Sequence, residues 1–477
     1  MIMSKATRFR FAGGLLALAA AAVLYSATSA CEKETKNSEP LNIIFLFADD
    51  MRWDALGYTG NRISQTPAID SLAAKGSVFR NAYVTTSICA VSRASVLSGQ
   101  YARRHGKWGF GPGFGADEWH LTYPKHLSDA GYRTGFIGKY GVGEYNYASQ
   151  QFDYWRGFPG QGSFNATDEN GDPTHLTRLM GDQALEFIET TEAETPFALS
   201  ISFKSPHAEN EAIHWDLFDP AFADRYEGAQ FEQPLAAEAQ YFQHFPEDFT
   251  TGNEARERYQ ARMGTPTLAQ ESLEGYYRLV YGIDRAVSRI VAKLEAAGLA
   301  DNTVIILSSD NGMYLGEYGF SGKWYGSDPS IRVPMLIYDP TQPDGGSEHE
   351  EIALNIDIAP TILDYAGADI PGSMQGRSLR PLVTGDGSDP WRTDFLYEHL
   401  WNSGSGYYIP STEGVVNDTA KYMRYFMNFD DSDLVFEELY RRPADPHEVN
   451  NLVGQSGASA LEASLKNRLE ALIEENE

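Results

Sequence analysis

Acidic and amide side chains follow two apolar runs of the sequence. Asp49 and Asp50 come directly after one run, and Asp310 and Asn311 closely follow another. Carboxylate and amide oxygens are the ligands that Ca²⁺ and Mg²⁺ prefer, whereas zinc prefers nitrogen and sulfur. Each pair alone is typical of a turn. Together the two pairs favour a site for Ca²⁺, with Mg²⁺ as the second choice.

A cysteine and an arginine form the second group. Cys89 and Arg93 begin a segment that predicts a short helix ending at Gly99. Residues four apart share one face of a helix, so these two side chains are predicted to lie together. A helix N-terminus and an arginine both favour an anion beside the cysteine. The alternatives are a small buried cysteine and a thiol nucleophile, which no cysteine–histidine spacing supports.

Two further polar residues follow apolar runs. Lys139 comes shortly after the run 134–137, and His207 comes after the run 197–203. Taken singly, they read as a surface lysine and a loop histidine. Ligands of parallel α/β sheets bind beyond the carboxyl ends of the strands. Four strand ends with reactive groups therefore predict one shared site.

The elements that must position these residues alternate along the chain. Continuous apolar runs alternate with segments of helical spacing, which indicates a mostly parallel α/β sheet covered by helices. The predicted strands are Asn42–Ala48, Thr134–Ile137, Phe197–Phe203, Thr303–Ser308 and Val333–Tyr338, and the predicted helices are 66–76, 267–297 and 355–366.

The pattern changes after about residue 380. Short strands are predicted at Phe395–His399, Lys421–Met427 and Leu434–Leu439, before an amphipathic helix that carries Leu461, Leu465, Leu469 and Leu472. We therefore expect a catalytic α/β domain at 41–380 and a smaller α+β subdomain at 381–477. Residues 208–264 are acidic, aromatic and aperiodic, which predicts an excursion over the surface.

The N-terminus has the order of a secretory signal. Basic residues precede an apolar run from Phe11 to Tyr25, and small residues lead to Ala30. The run is too short to span a membrane comfortably. The segment before Cys31 resembles a bacterial lipoprotein cleavage box, which implies a lipid anchor at Cys31. Ordinary cleavage after Ala30 is the alternative. We expect a signal peptide at 1–30, a polar tether at 31–40 and an exported protein, periplasmic or at the cell surface.

Composition limits the function further. The 477 residues include 38 basic and 66 acidic side chains, a formal net charge of −28. This charge argues against general nucleic-acid binding, which needs a basic surface. With Cys31 and Cys89 as the only cysteines, a disulfide framework is excluded.

The segment from Cys89 to Gly99 resembles the maturation motif of type I sulfatases, members of the alkaline-phosphatase-like superfamily. Other motifs extend the resemblance from about residue 42 to 452: Gly138-Lys139, Pro206-His207, Asp310-Asn311-Gly312, Lys323, Ser330-Ile331-Arg332-Val333-Pro334, Asp357-Ile358-Ala359-Pro360-Thr361 and Asp445-Pro446-His447-Glu448. The resemblance implies a large, mostly parallel sheet between helices, with a smaller C-terminal α+β domain.

The resemblance also implies the chemistry. A formylglycine-generating enzyme would convert Cys89 to formylglycine, whose hydrate is the nucleophile. The implied calcium ligands are Asp49, Asp50, Asp310, Asn311 and residue 89. Arg93 would hold the hydrate, and Lys139, His207 and Lys323 would contact the sulfate. With export, this implies a sulfatase that hydrolyses the sulfate esters of carbohydrates.

The sequence departs from the family pattern at two positions. Val91 replaces a usual proline, and Gly141 stands where the family often has a histidine. The candidates to replace that histidine are His105, His120, His126, Glu144 and Asn146. The candidates for contacts with a sulfated sugar are the irregular segment 208–264, the cations Arg103, Arg104 and Lys107, and the aromatic residues Trp108, Phe110, Phe114 and Trp119.

Two other functions fit the same residues. A phosphomonoester or phosphonate hydrolase would share the metal and the nucleophile on the same scaffold. A lipoprotein that binds sulfated glycans without turnover would keep Cys89 unmodified. The sequence leaves the sugar, the sulfate position and endo or exo action open.

Overall fold

The structure is a computed structural model that describes residues 40–477, except for 193, 210–214, 343–344, 388, 401–406 and 428–432. The predicted signal peptide, the lipidation site Cys31 and all but the last residue of the tether lie outside this part of the chain. Residues Leu41–Glu477 form one compact unit. No helix described in it is both long and apolar enough to cross a membrane.

The described strands and α-helices alternate over most of the chain. The strands are β1 Asn42–Asp49, β2 Ser77–Tyr83, β3 Arg133–Lys139, β4 Tyr154–Phe158, β5 Asn165–Thr167, β6 Pro173–His175, β7 Phe197–Pro206, β8 Thr303–Ser309, β9 Tyr314–Leu315, β10 Ser321–Gly322, β11 Met335–Tyr338, β12 Ser347–Leu354, β13 Asp394–His399, β14 Ser411–Asn417, β15 Ala420–Phe426 and β16 Leu434–Arg441. The helices are α1 Pro67–Ala73, α2 Cys89–Ser98, α3 Ala102–His105, α4 Tyr123–Asp129, α5 Leu176–Glu189, α6 Glu247–Thr250, α7 Glu254–Met263, α8 Pro266–Ala296, α9 Asp328–Ile331, α10 Ile358–Tyr365, α11 Arg380–Thr384 and α12 Ser459–Asn476.

The central sheet has eight strands in the order β12-β2-β11-β8-β1-β7-β3-β4. All neighbouring pairs are parallel except the two that β11 makes, so β11 runs against the other strands. Strands β1, β7 and β8 are buried along their whole length, which explains their continuous apolar runs. The predicted fold class, a mostly parallel α/β sheet, is confirmed.

The side chains of β1 show how the sheet forms two hydrophobic cores. Phe45 and Phe47 belong to one cluster of buried residues, and Ile44 and Leu46 belong to the other, because successive strand residues point to opposite faces. The first cluster includes residues of α2, α4 and α10. The second includes residues of α1, α5 and α8. Helices therefore cover both faces of the sheet.

The longest helix, α8, begins where local chemistry specifies a helix start. The Thr265 side chain accepts a hydrogen bond from the backbone N–H of Leu268 at 3.2 Å. Pro266 occupies the first helical position, where its missing N–H costs nothing. Leu273 and Tyr276 belong to the buried face that packs on the sheet. The sequence predicts this helix to within one residue at each end.

The C-terminal sheet consists of four antiparallel strands in sequential order, β13-β14-β15-β16. Leu465, Leu469 and Leu472 of α12 are buried, and the helix contacts β13, β14 and β15. The sequence predicts three of these strands and misses β14, because Gly414 and the polar residues around it interrupt any apolar run. The domain boundary expected near residue 380 stays a prediction.

Residues 208–264 are not the surface excursion that their acidic sequence predicts. Trp215, Phe245 and Phe249 are each no more than 2% exposed. The Phe249 ring lies 4.9 Å from the Tyr325 ring and 5.3 Å from the Tyr425 ring, measured between centroids. The prediction is wrong for these aromatic residues, because large side chains without periodicity still enter the core from an irregular segment.

We predict that Phe249→Ala lowers the free energy of unfolding by about 3–5 kcal/mol, the usual cost of truncating a buried phenylalanine. Phe110→Ala is the matched control, because Phe110 is 55% exposed and its loss should change stability by less than about 0.5 kcal/mol. Urea unfolding of both variants measures the difference. Equal losses of stability would contradict the buried position of Phe249.

Candidate active site

The ends of β1 and β8 bring together the four residues predicted to bind a metal. Asp49 ends β1 and Asp50 follows it, whereas Asp310 and Asn311 follow β8. The two strands are parallel neighbours, so both ends lie at one edge of the sheet. The Asp50 backbone N–H donates to Asp310 Oδ1 at 3.1 Å, and Asn311 Nδ2 donates to Asp50 Oδ1 at 2.5 Å. All four side chains are buried.

Helix α2 brings the predicted nucleophile position to these carboxylates. Cys89 is its first residue and is 2% exposed. The Nε and Nη2 atoms of Arg93, one turn later, lie 2.9 and 2.8 Å from Asp310 Oδ2. The Cys89 sulfur and one oxygen each of Asp49 and Asp310 lie within 4.8 Å of one another. Cys89 and Arg93 therefore lie together, as their four-residue spacing indicates.

The other predicted site residues contact the same aspartates. Lys139 ends β3, and its Nζ lies 2.5 Å from Asp49 Oδ2. Lys323 follows β10 and forms an ion pair with Asp50. His207 follows β7, and its Nε2 lies 3.7 Å from Asp50 Oδ2. The structure thus places every residue predicted for the site in one cluster.

The cluster shifts the pKa values of its own members. Burial raises the pKa of Asp49, but the surrounding positive charges, Lys139 foremost, hold it well below its usual value. Burial, and after it the charge of Asp49, raise the pKa of Asp310 to about 7. Burial lowers the pKa of His207 to about 3, so this imidazole is neutral. A further cation beside these crowded, buried carboxylates would favour their charged forms.

The donor atoms of the cluster fit a hard divalent cation. Asp49 Oδ1 and Asn311 Oδ1 are buried and have no hydrogen-bond partner among the described residues. Such atoms are costly unless a water or an ion satisfies them. The three carboxylates and one amide outnumber the thiol of Cys89 and the imidazole of His207, which favours Ca²⁺ or Mg²⁺ over zinc.

A cavity of about 400 Å³ is lined by Cys89, His207 and Lys323. Two cations of α7, Arg258 and Arg262, also line it. These arginines belong to the segment 208–264, which the sequence suggests as a wall for the substrate without singling out either residue. The cavity wall also includes three aromatic side chains, Phe110, Trp324 and Tyr407.

The cations that the sequence favours for substrate binding are held elsewhere. Arg103 Nε lies 2.6 Å from Glu398 Oε2, and Lys107 Nζ lies 2.7 Å from Glu118 Oε1. Arg104 donates to a C-terminal backbone oxygen. None of the three is among the described residues that line the cavity at Cys89.

Gln161, in the loop after β4, is a site residue that the sequence does not predict. It contacts Lys139 and Cys89. Two of the histidines proposed to replace the missing one, His105 and His126, make hydrogen bonds elsewhere. Both ring nitrogens of His105 are hydrogen-bonded, to Ser95 and to a backbone N–H, and the exposed ring of His126 bonds a backbone oxygen. The sequence signal that could have found Gln161 is its position between Gly160 and Gly162, because two such glycines indicate a tight turn.

A larger cavity, of about 660 Å³, is lined by other residues. It is lined by the late motif Asp445-Pro446-His447-Glu448 and by none of the residues predicted for the site. Several of its charged side chains form ion pairs, as in the contact of Arg52 with Glu317 at 2.6 Å. Glu448 accepts from the backbone N–H of Asp328. The late motif therefore connects separate parts of the fold. The smaller cavity is the one that residues predicted for the site line, namely Cys89, His207 and Lys323.

Comparison with known proteins identifies the family. The sulfatase family model matches residues 41–368, and a model of the C-terminal part of N-sulphoglucosamine sulphohydrolase matches residues 316–475. Because the first match covers more than half of the chain, the protein belongs to the sulfatase family. It is a sulfuric ester hydrolase, as the resemblance of its motifs implies.

Individual relatives agree with this assignment. The N-acetylglucosamine-6-O-sulfatase of Bacteroides thetaiotaomicron is 28% identical, over 96% of this chain and 90% of that protein. An arylsulfatase of Clostridium perfringens is 27% identical, over 86% of this chain and 90% of its own length.

Solved structures share the fold. One, described as a complex with its substrate D-glucosamine-2-N,6-O-disulfate, has a TM-score of 0.77 and 26% identity, covering 91% of this chain and 97% of that one. The phosphonate monoester hydrolase of Agrobacterium radiobacter has a TM-score of 0.73 and 19% identity, covering 92% and 96%. These likenesses confirm the predicted alkaline-phosphatase-like architecture.

Proposed function

We propose that the protein hydrolyses sulfate esters of carbohydrates with a formylglycine formed from Cys89 and with bound Ca²⁺. The observation that carries the proposal is the contact group of Cys89, Asp49 and Asp310, whose ligand atoms lie within 4.8 Å of one another. A formylglycine-generating enzyme is the partner that maturation requires. The matured side chain supplies the hydroxyl nucleophile of the reaction.

The metal would be held by Asp49, Asp50, Asp310, Asn311 and residue 89, with Mg²⁺ as the less favoured ion. When bound, the cation polarises a sulfate oxygen and neutralises charge that develops in the transition state. Asp49 Oδ1 and Asn311 Oδ1, which have no hydrogen-bond partner among the described residues, support this ligand set.

The remaining side chains bind the sulfate group and orient the side chain of residue 89. Arg93 is fixed by Asp310 and by the backbone oxygen of Lys139, at 2.9 Å, so its guanidinium holds the side chain of residue 89 in place. Lys139, Lys323 and the neutral His207 surround the same carboxylates, where they contact the sulfate group. Fixed donors around a developing negative charge are the largest contribution in such sites.

The substrate we propose is a 6-O-sulfated glucosamine unit of a glycan. The names of the Bacteroides relative and of the ligand in the similar structure support this class. The cavity adds aromatic surface for a sugar ring and two arginines for a second anionic group: Arg262, and Arg258, which also pairs with Glu254 of the same wall at 2.7 Å. A cavity of about 400 Å³ in an acidic protein favours the end of a chain over the interior of a polymer.

Such a glycan is met outside the cytoplasm, which agrees with the signal predicted at 1–30. We therefore propose export to the periplasm or cell surface, with a lipid anchor at Cys31.

We predict that the protein co-expressed with a maturing enzyme carries an aldehyde at residue 89, detected in the peptide mass. Cys89→Ala should keep the thermal unfolding midpoint within a few degrees and lose sulfate release, because it removes the nucleophile and little packing. Full activity of Cys89→Ala would contradict the mechanism. An unmodified but folded protein that binds sulfated glycans would instead support the binding function.

We also predict that the purified protein contains calcium, measured by elemental analysis, and that Asp49→Asn lowers the bound amount. Loss of one carboxylate weakens a Ca²⁺ site because affinity follows the number of charged ligands. Asp129→Asn is the matched control, since Asp129 is exposed and pairs only with Lys125 among the described residues. Stoichiometric zinc, with activity that tracks zinc, would reject the calcium assignment.

A further inference from the structure

Gln161 bridges two central groups of the site. Its side-chain oxygen accepts from Lys139 Nζ at 2.5 Å, and its Nε2 lies 4.0 Å from Cys89 Sγ. Lys139 Nζ in turn lies 2.5 Å from Asp49 Oδ2. The amide is therefore held by its oxygen, and its N–H donors are turned toward residue 89.

The backbone around Gln161 forms a turn that presents this side chain. Gly160 and Gly162 have φ values of 59° and 63°, a left-handed conformation that glycine adopts without strain. A Cβ at Gly162 would lie 2.5 Å from the Phe158 ring. The two glycines thus permit a tight loop. Gln161 lies between them, and its side chain lines the cavity.

A side chain at position 141 cannot make the contact with residue 89 in place of Gln161. Gly141 has φ 71°, and a Cβ there would lie 2.7 Å from Arg93 Cδ. Arg93 cannot move aside, because Asp310 and the Lys139 backbone oxygen fix its guanidinium. A side chain at 141 would therefore clash with Arg93.

We propose that Gln161 is a catalytic residue: its amide N–H donates to the side-chain oxygen of matured residue 89, while its amide oxygen positions Lys139. The inference rests on the proposed function and adds a residue to it. A glutamine amide donates a hydrogen bond but does not ionise near neutral pH, so it is neither a general acid nor a general base. Gln161 therefore orients the nucleophile and leaves proton transfer to other groups.

Two substitutions test whether catalysis needs the amide of Gln161. Gln161→Glu keeps an oxygen for Lys139 but loses the N–H donors and adds a negative charge. Gln161→Leu loses both contacts at similar volume. Both should lower kcat by about 10²-fold, the usual loss on removing one preorganised donor, with a smaller change in KM. Gln150→Leu is the matched control, because Gln150 is exposed and donates to a backbone oxygen of its own loop; it should keep the wild-type kcat.

Peptide mass and thermal unfolding first show that each variant is matured and folded. A crystal structure of the matured wild type then gives a readout independent of turnover. We expect Gln161 Nε2 within about 3.2 Å of an oxygen of residue 89. A Gln161 amide turned away from residue 89, or a kcat of Gln161→Leu equal to that of wild type, would overturn the inference. Absence of sulfatase activity in the matured wild type would instead refute the proposed function.

Discussion

The site depends on keeping three carboxylates close together in a buried place. Asp49, Asp50 and Asp310 repel one another there, and an unpaired buried charge costs several kcal/mol. Arg93 offsets this repulsion through two contacts with one oxygen of Asp310. Because Arg93 and Cys89 belong to the same helix, the ion pair that offsets the carboxylate repulsion also fixes the position of Cys89.

The parallel sheet explains how residues so distant in the chain meet. Neighbouring parallel strands end at the same edge, and β1 lies between β7 and β8 in the middle of the sheet. The turns after these three strands carry Asp50, His207 and Asp310. Helix α2 and strand β3 then add cations from either side.

The sequence predicts the polar residues at the strand ends well, because they follow apolar runs that strongly indicate strands. The apolar runs before Asp49 and Asp310 are enough to place these two residues at one edge of a parallel sheet. The sequence does not reveal the direction of β11, since a buried strand reads the same in both directions. Gln161, Arg258 and Arg262 also escape prediction, because they come from a loop and a segment whose spacing carries no periodic signal.

The central claim is that this cluster transfers a sulfuryl group from a sugar. The most direct measurement compares kcat/KM of the matured enzyme for N-acetylglucosamine 6-sulfate with that for the matched 6-phosphate. The sugar contacts are the same in both, so the ratio reports on the transferred group alone. Our account predicts clear preference for the sulfate ester. Hydrolysis of the phosphate ester, with none of any sulfated glycan, would contradict it.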